Sequence, residues 1–313
     1  MKKSLKALML GCALGVLPTL AMAQEIAVIV KTTNSNYWQN VRKGAEAAIA
    51  GQSKYKMTFE GPASESAVAD EVNMVDAAIN RKVAGIILAP SDPSALVPAV
   101  KQAYASGIPV VIIDSELSKA AAGNYQSFFS TDNCAAGKMA AQEMISLVGK
   151  QGKIAVMSYV PGVGSEIGRV GCFEKYIKSN SSLSIVGPYY SQSQMATALN
   201  QTTDVLAANP DLKGIFGANE PTVVGMARAI KQAGKSGQIV AIGFDGNEDE
   251  QNFIKDGTLD AIFVQGSYQM GEKGMKAIMD LLAGKKVPSY VDTGVVKVTK
   301  ANIDSPEAKS VLY

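Results

Sequence analysis

The sequence has no histidine. That excludes imidazole-based catalytic triads, histidine general bases and nearly all zinc sites, because imidazole is both the neutral-pH proton carrier and the commonest metal ligand. A Gly-x-Ser-x-Gly nucleophile elbow, a P-loop and a metal-ligand cluster are also missing. So is any excess of one charge: 30 basic side chains face 28 acidic ones, which gives no footprint for nucleic acid or an anionic membrane. Tryptophan occurs once, as Trp38, and cysteine three times. No apolar run is both long enough and suitably flanked to span a membrane.

What is present begins with a leader. Lys2, Lys3 and Lys6 precede an apolar stretch from Ala7 to Leu20, and Ala21-Met22-Ala23 supplies the small residues of a cleavage site. Residues 1–23 therefore read as a secretory signal peptide, and the mature chain is expected in the periplasm. A lipoprotein anchor at Cys12 is the rival reading. It leaves an apolar region of only about five residues, below the ~7–15 such a region needs. The leader holds three lysines and no acid, so the mature chain carries 27 basic and 28 acidic side chains. Its 290 residues are enough for two domains. Cys134 and Cys172 sit in apolar, helix-like patterns and read as two buried free thiols; a disulfide between them does not follow from sequence.

From residue 24 onward, strand and helix patterns alternate with no low-complexity linker. Ile26–Val30, Lys56–Phe59, Gly85–Leu88 and Pro109–Ile113 read as short buried strands, with helices over Trp38–Ala50, Glu65–Arg81 and Ala95–Ser106. The second half repeats the scheme. Lys153–Met157, Ile185–Gly187, Gly214–Gly217, Val240–Phe244 and Ala261–Gln265 read as strands, and Glu166–Asn180, Gln194–Ala208, Thr222–Ala233 and Tyr268–Ala283 as helices. Alternating βα units predict an α/β fold with parallel sheets and right-handed crossovers.

A weak internal repeat points to a site. Gly85–Asp92 leads through a helix to a strand ending at Asp114, and Gly214–Glu220 leads through a helix to a strand ending at Asp245. Open α/β sheets bind ligands beyond the carboxyl ends of their strands. Two halves facing each other put Asp114 and Asp245 on opposite walls of one cleft. An aspartate at a strand end also serves as a helix cap or turn residue, so neither residue alone decides the matter.

Other candidates lie near those strand ends. After the first strand, Lys31 to Asn36 is polar, and Tyr37-Trp38 follows at a helix start. Aromatic rings cover the C–H face of a sugar while planar polar groups take its hydroxyls; a plain hydrophobic contact at a helix start is the alternative. Lys31 reads equally as a solvated lysine or as a donor to a ligand oxygen. Arg169 follows a glycine-containing loop whose spacing misses the dinucleotide fingerprint by one residue, and its fork suits paired hydroxyls or a carboxylate. Asn219, Glu220 and Gln265 end two further strands. The paired aspartates also admit a glycosidase reading.

In order, Asn34–Trp38, Glu60-Gly-Pro62, Ile113-Asp-Ser115, Thr131-Asp-Asn133, Arg169 before Gly171-Cys-Phe173, Pro210–Phe216, Gly217–Glu220, Gly243–Gly246 and Gln265 resemble the ribose-binding-protein-like branch of type I periplasmic binding proteins. These are the solute receptors of bacterial sugar ABC importers. The resemblance covers nearly the whole mature chain. It implies two Rossmann-like domains joined by a three-segment hinge, with residues 24–131 and 266–292 in one and 132–265 and 293–313 in the other. It implies sugar hydroxyls held by Asp114, Arg169, Asn219, Asp245 and Gln265, and stacking at Tyr37 and Trp38. It implies a monomer that takes no cofactor or metal, catalyses no reaction and delivers its ligand to a permease, with a chemoreceptor as a further partner.

The chain departs from the ribose pattern at three places. Ser115 replaces an arginine, Lys31 a small polar residue, and Tyr190–Gln194 a segment with an aromatic, which leaves Tyr190 as the nearest ring. Lys31, Gly61-Pro62 and Asp114-Ser115 resemble instead the autoinducer- and rhamnose-binding branch, which lacks the Asn219-Glu220 and Phe244-Asp245 pattern. The expected ligand is a pentose, hexose or polyol other than ribose. The alternatives are a furanose-like quorum signal and, in an enzyme, a carbohydrate cleaved by Asp114 and Asp245.

Overall fold

The computed structural model describes residues 23–313, so Cys12 and all but the end of the leader lie outside the described residues. The first half runs β1 (Gln24–Ile29), α1 (Asn36–Ile49), β2 (Tyr55–Glu60), α2 (Val68–Asn80), β3 (Gly85–Leu88), α3 (Val97–Ala105), β4 (Val110–Ile113) and β5 (Ser127–Ser130). The second runs α4 (Asn133–Val148), β6 (Gln151–Ser158), α5 (Gly164–Asn180), β7 (Ser182–Tyr190), α6 (Met195–Ala208), β8 (Leu212–Gly217), α7 (Glu220–Gln232), β9 (Val240–Phe244), α8 (Glu248–Asp256) and β10 (Ala261–Gln265). After these come α9 (Ser267–Leu282), β11 (Tyr290–Asp292), β12 (Val295–Thr299) and α10 (Pro306–Lys309).

These elements build two six-stranded sheets. One has the order β11-β5-β4-β3-β1-β2 and is parallel throughout. The other has the order β12-β10-β9-β8-β6-β7, with only the edge strand β12 antiparallel. The apolar runs explain the parallel arrangement. β3 and β4 are buried at every residue, as strands covered on both faces must be. Along β1, Ala27 and Ile29 pack into one apolar cluster while Ile26 and Val28 pack into another, so each sheet face has its own core. Two such α/β lobes form the molecule. Among the described residues no helix is long and apolar enough to cross a membrane.

The chain passes between the sheets three times. It leaves β5 for α4, which packs on α5; it leaves β10 for α9, which packs on α1; and it steps from β11 directly to β12. The connections are tied together. The Thr293 N–H donates to the Ser130 carbonyl at 2.9 Å, and Thr131 Oγ1 donates to the Gly294 carbonyl at 3.0 Å. Close contact between α1 and α9 requires Gly271, where a Cβ would lie 1.9 Å from the Val41 carbonyl oxygen.

One sequence expectation fails. Cys134 and Cys172 are not free thiols but form a disulfide, with their Cα atoms 5.2 Å apart. The cause is the packing of α4 on α5. Gly137 has no side chain, and a Cβ there would fall 2.1 Å from the Arg169 carbonyl oxygen. Helices that approach so closely bring Cys134, one turn before Gly137, within bridging distance of Cys172, one turn after Arg169.

Candidate ligand site

Asp114 follows β4 and Asp245 follows β9, and the two share a backbone peculiarity. Their φ angles are 65° and 86°, in the left-handed region that costs a non-glycine residue about 1–2 kcal/mol. Each is held there by the next strand: the Asp114 N–H donates to the Phe129 carbonyl and the Asp245 N–H to the Phe263 carbonyl, both at 2.9 Å. The internal repeat thus reappears as geometry. The same turn at both strand ends carries each carboxylate to one cavity between the lobes.

In the first lobe, Lys31 is 2% exposed, and its Nζ donates to Asp114 Oδ2 and Ser115 Oγ, each at 2.6 Å. The Tyr37 hydroxyl donates to Asp114 Oδ1 at 2.8 Å. Burial pushes the Asp114 carboxyl up, but the Lys31 ammonium and the hydrogen bonds from Lys31, Tyr37 and Ser115 outweigh it and hold it below the usual carboxylate range. Burial, with the Asp114 charge, raises the Tyr37 phenol well above its ordinary value, so it stays a neutral donor. Trp38 Nε1 donates to Glu65 Oε1 at 2.8 Å, and its ring meets Tyr37 edge-on at 4.9 Å between centroids. Ser115 does not line the cavity. Its hydroxyl turns back onto Asp114 Oδ2 at 2.8 Å, behind the carboxylate.

In the second lobe, Arg169 lies on α5 with its guanidinium carbon 3.6 Å from the centroid of Phe244. Nη1 donates to the Ala218 carbonyl at 2.7 Å, and Nε and Nη2 donate to Asn133 Oδ1 at 3.2 and 2.7 Å. Each terminal nitrogen keeps one further N–H for a ligand. Asp245 accepts from Gln265 Nε2 and from the Glu220 N–H, both at 2.9 Å. Burial pushes its carboxyl up to about 6, with Arg169 opposing. Gln265 Oε1 is buried without a partner, and a buried acceptor in that condition calls for a donor such as a ligand hydroxyl. Asn219 caps α7 through Oδ1 and donates from Nδ2 to Ser193 Oγ at 2.9 Å, so a helix-cap role and a place on the cavity wall coexist.

Fourteen residues drawn from both lobes line the cavity. Lys31, Tyr37, Trp38, Asp114, Arg169, Asn219, Asp245 and Gln265, singled out in sequence, all line it, and Ser115 does not. Ser35, Glu65, Tyr159, Ser165, Glu220 and Pro221 complete the lining. The aromatic of the second lobe is Tyr159, directly after β6, and Tyr190 does not line the cavity. Two carboxylates close the lobes on each other. Glu220 accepts from the Asn36 and Tyr37 N–H groups at 3.0 and 2.7 Å, and Glu65 Oε2 accepts from Ser193 Oγ at 2.5 Å. Among the described residues no group of three or more acidic or cysteine side chains is placed to hold a metal ion.

This two-lobed architecture has close parallels. The chain is 71% identical to an ABC transporter solute-binding protein from Agrobacterium vitis whose crystal structure holds D-fucose, with a TM-score of 0.92 over 92% of this chain and 100% of that one. It is 32% identical to a carbohydrate transporter solute-binding protein from Agrobacterium radiobacter in complex with D-arabinose, with a TM-score of 0.88 over 93% and 99% of the two chains. It is 31% identical to the D-allose-binding periplasmic protein of Escherichia coli over 273 residues, which are 85% of this chain and 87% of that protein. The family model for a periplasmic binding protein domain matches residues 26–286, and the chain belongs to that family.

Proposed function

We propose that this chain is a periplasmic receptor that encloses one neutral monosaccharide between its lobes and delivers it to an ABC importer. The observation that carries the reading is the pairing of Asp114 and Asp245 on one cavity lined from both lobes, with Gln265 Oε1 left without a partner beside them. Carboxylates and Gln265 Oε1 accept from sugar hydroxyls, and the spare N–H groups of Arg169 donate to them. Tyr37, Trp38 and Tyr159 supply apolar faces for C–H groups. Glu65, Asp114, Glu220 and Asp245 against Lys31 and Arg169 disfavour an acidic sugar.

The solved relatives carry D-fucose and D-arabinose, so an aldopyranose, with a 6-deoxyhexose first, is the ligand class assigned here. In this reading the lobes are residues 24–131 with 266–292 and residues 132–265 with 293–313, and the protein works as a monomer. It catalyses no reaction: Asp114 is engaged by Lys31 and Ser115, and the site has no activated nucleophile. The quorum-signal alternative draws no support from these sugar-bound relatives.

The test is a thermal-shift screen of D-fucose, D-galactose, D-arabinose, D-allose, D-ribose, xylitol and a uronic acid. A cognate sugar at 100 times its Kd adds about 2.7 kcal/mol of stability. A uronic acid as the strongest stabiliser, or no shift with any neutral sugar, overturns the reading.

A further inference from the structure

Glu220 is the first residue of α7, yet its side chain serves a different helix in the other lobe. Oε1 accepts from the Asn36 N–H at 3.0 Å and Oε2 from the Tyr37 N–H at 2.7 Å. These belong to the first turn of α1, where N–H groups have no partner inside their own helix. The cap that α1 supplies itself, Ser35, reaches only the Trp38 N–H, at 3.4 Å. Glu220 therefore completes the cap of α1 from across the cleft. Its backbone N–H meanwhile donates to Asp245 Oδ2 at 2.9 Å, and Tyr37 donates onward to Asp114 Oδ1 at 2.8 Å. One line of contacts runs from Asp245 through Glu220 and Tyr37 to Asp114, and its middle step exists only when the lobes are together.

We infer that Glu220 is a positioning residue that couples engagement of a ligand at Asp245 to closure of α1, with Tyr37 and Trp38, over the cleft. The inference rests on the cavity being the sugar site. Tyr313 supports it. Its N–H donates to the Gly246 carbonyl at 3.2 Å, and its hydroxyl donates to Glu220 Oε2 at 3.1 Å. Tyr313 thereby aims the carboxylate at α1.

Closure leaves Glu220 buried, and that burial, with the nearby Asp245 charge, pushes its carboxyl up to about 7. The titratable and charged groups around it are Asp245 after β9, Glu250 of α8, Tyr313 and Tyr37, with Glu65, Lys31, Asp114 and Arg169 lining the same cavity. A carboxyl whose value is higher closed than open takes up a proton on closure. Ligand affinity therefore falls as pH rises from about 4.5 through 7. Asp245 contributes to the same slope, and only a Glu220 variant separates the two.

The experiment is stopped-flow release of D-fucose, followed by the emission of Trp38, in wild type, Glu220→Ala and Glu220→Gln at pH 5 and pH 8, with ligand-free melting temperatures alongside. Expected are release at least tenfold faster in Glu220→Ala with unchanged association and ligand-free melting, near-wild-type release at pH 5 in Glu220→Gln, and a flatter pH profile in both variants. Wild-type release in Glu220→Ala, or a wild-type pH profile in Glu220→Gln, overturns the inference. Faster release that merely follows a lowered ligand-free melting temperature overturns it too. A wild-type chain that binds no sugar instead overturns the reading on which the inference rests.

Discussion

The Lys31 ammonium sits 2.6 Å from Asp114 Oδ2, and both side chains are almost wholly buried. A buried pair of this kind gains little net stability, but removing one partner strands the other at a cost of about 3–5 kcal/mol. Lys31→Ala is therefore expected to lower the melting temperature and to weaken sugar binding by at least tenfold. The pH response gives the sign. Asp114 is depressed in the folded chain, so its contribution is present above the unfolded carboxylate value and is lost as pH falls through the folded one. Without Lys31 the burial effect is left largely unopposed, so ionised Asp114 costs stability instead, and the variant no longer loses an Asp114 contribution on acidification. Melts of wild type and variant between pH 3 and pH 7 check this; identical acid limbs would leave Lys31 without a role in holding Asp114 ionised.

Asp245 carries the opposite shift. Its carboxyl is pushed up to about 6, so the ionised form costs folding stability, a cost absent below the unfolded value and fully present above about pH 6. Asp245→Asn removes that charge. The expected outcome is a ligand-free melting temperature at or above wild type at pH 7.5, together with affinity reduced at least tenfold, read by calorimetry. A variant that loses both stability and binding would make Asp245 a structural group first.

The disulfide is expected to matter for both fold and site. Cys134 and Cys172 are 38 residues apart, a loop for which chain-entropy bookkeeping gives about 3–4 kcal/mol. The bridge also joins α4, which carries Asn133, to α5, which carries Arg169, and those two side chains bond at 2.7 Å. Cys172→Ser is expected to melt lower by several degrees and to bind sugar more weakly. Denaturant titration and calorimetry, each with and without reductant, check both; reductant should change wild type and leave the variant unaltered.

Much of the fold was legible because fully covered parallel strands leave an uninterrupted apolar signature. Gly85–Leu88, Val240–Phe244 and Ala261–Gln265 stand in the structure with the bounds their composition suggests. What stayed hidden lacks that signature. β11 is three residues long and lies largely at the surface, so it shows no apolar run. The aspartates were legible through the internal repeat. The bridging roles of Glu65 and Glu220 were not, because an acid near the start of a helix is ordinary capping chemistry, and only the meeting of the two lobes gives these carboxylates a partner across the cleft. The disulfide was hidden for the same reason, since it depends on how closely two helices cross.

Trp38 offers the most direct view of closure. Its indole N–H donates to Glu65 Oε1 at 2.8 Å, Glu65 Oε2 accepts from Ser193 Oγ at 2.5 Å, and Ser193 accepts from Asn219 Nδ2 at 2.9 Å. The single tryptophan is thereby tied to the opposite lobe through one carboxylate. In the closed form it is 2% exposed, so opening the cleft must wet its surroundings. Sugar addition is expected to shift its emission to shorter wavelength. Ser193→Ala breaks the tie while leaving the Glu65 carboxylate to the indole, and removes a hydrogen bond worth about 0.5–1.5 kcal/mol, or two- to tenfold in affinity. The Trp38 shift should survive in that variant but require more sugar to reach half its amplitude. If a sugar that raises the melting temperature leaves Trp38 emission unchanged in wild type, the indole does not stand on the wall that closes.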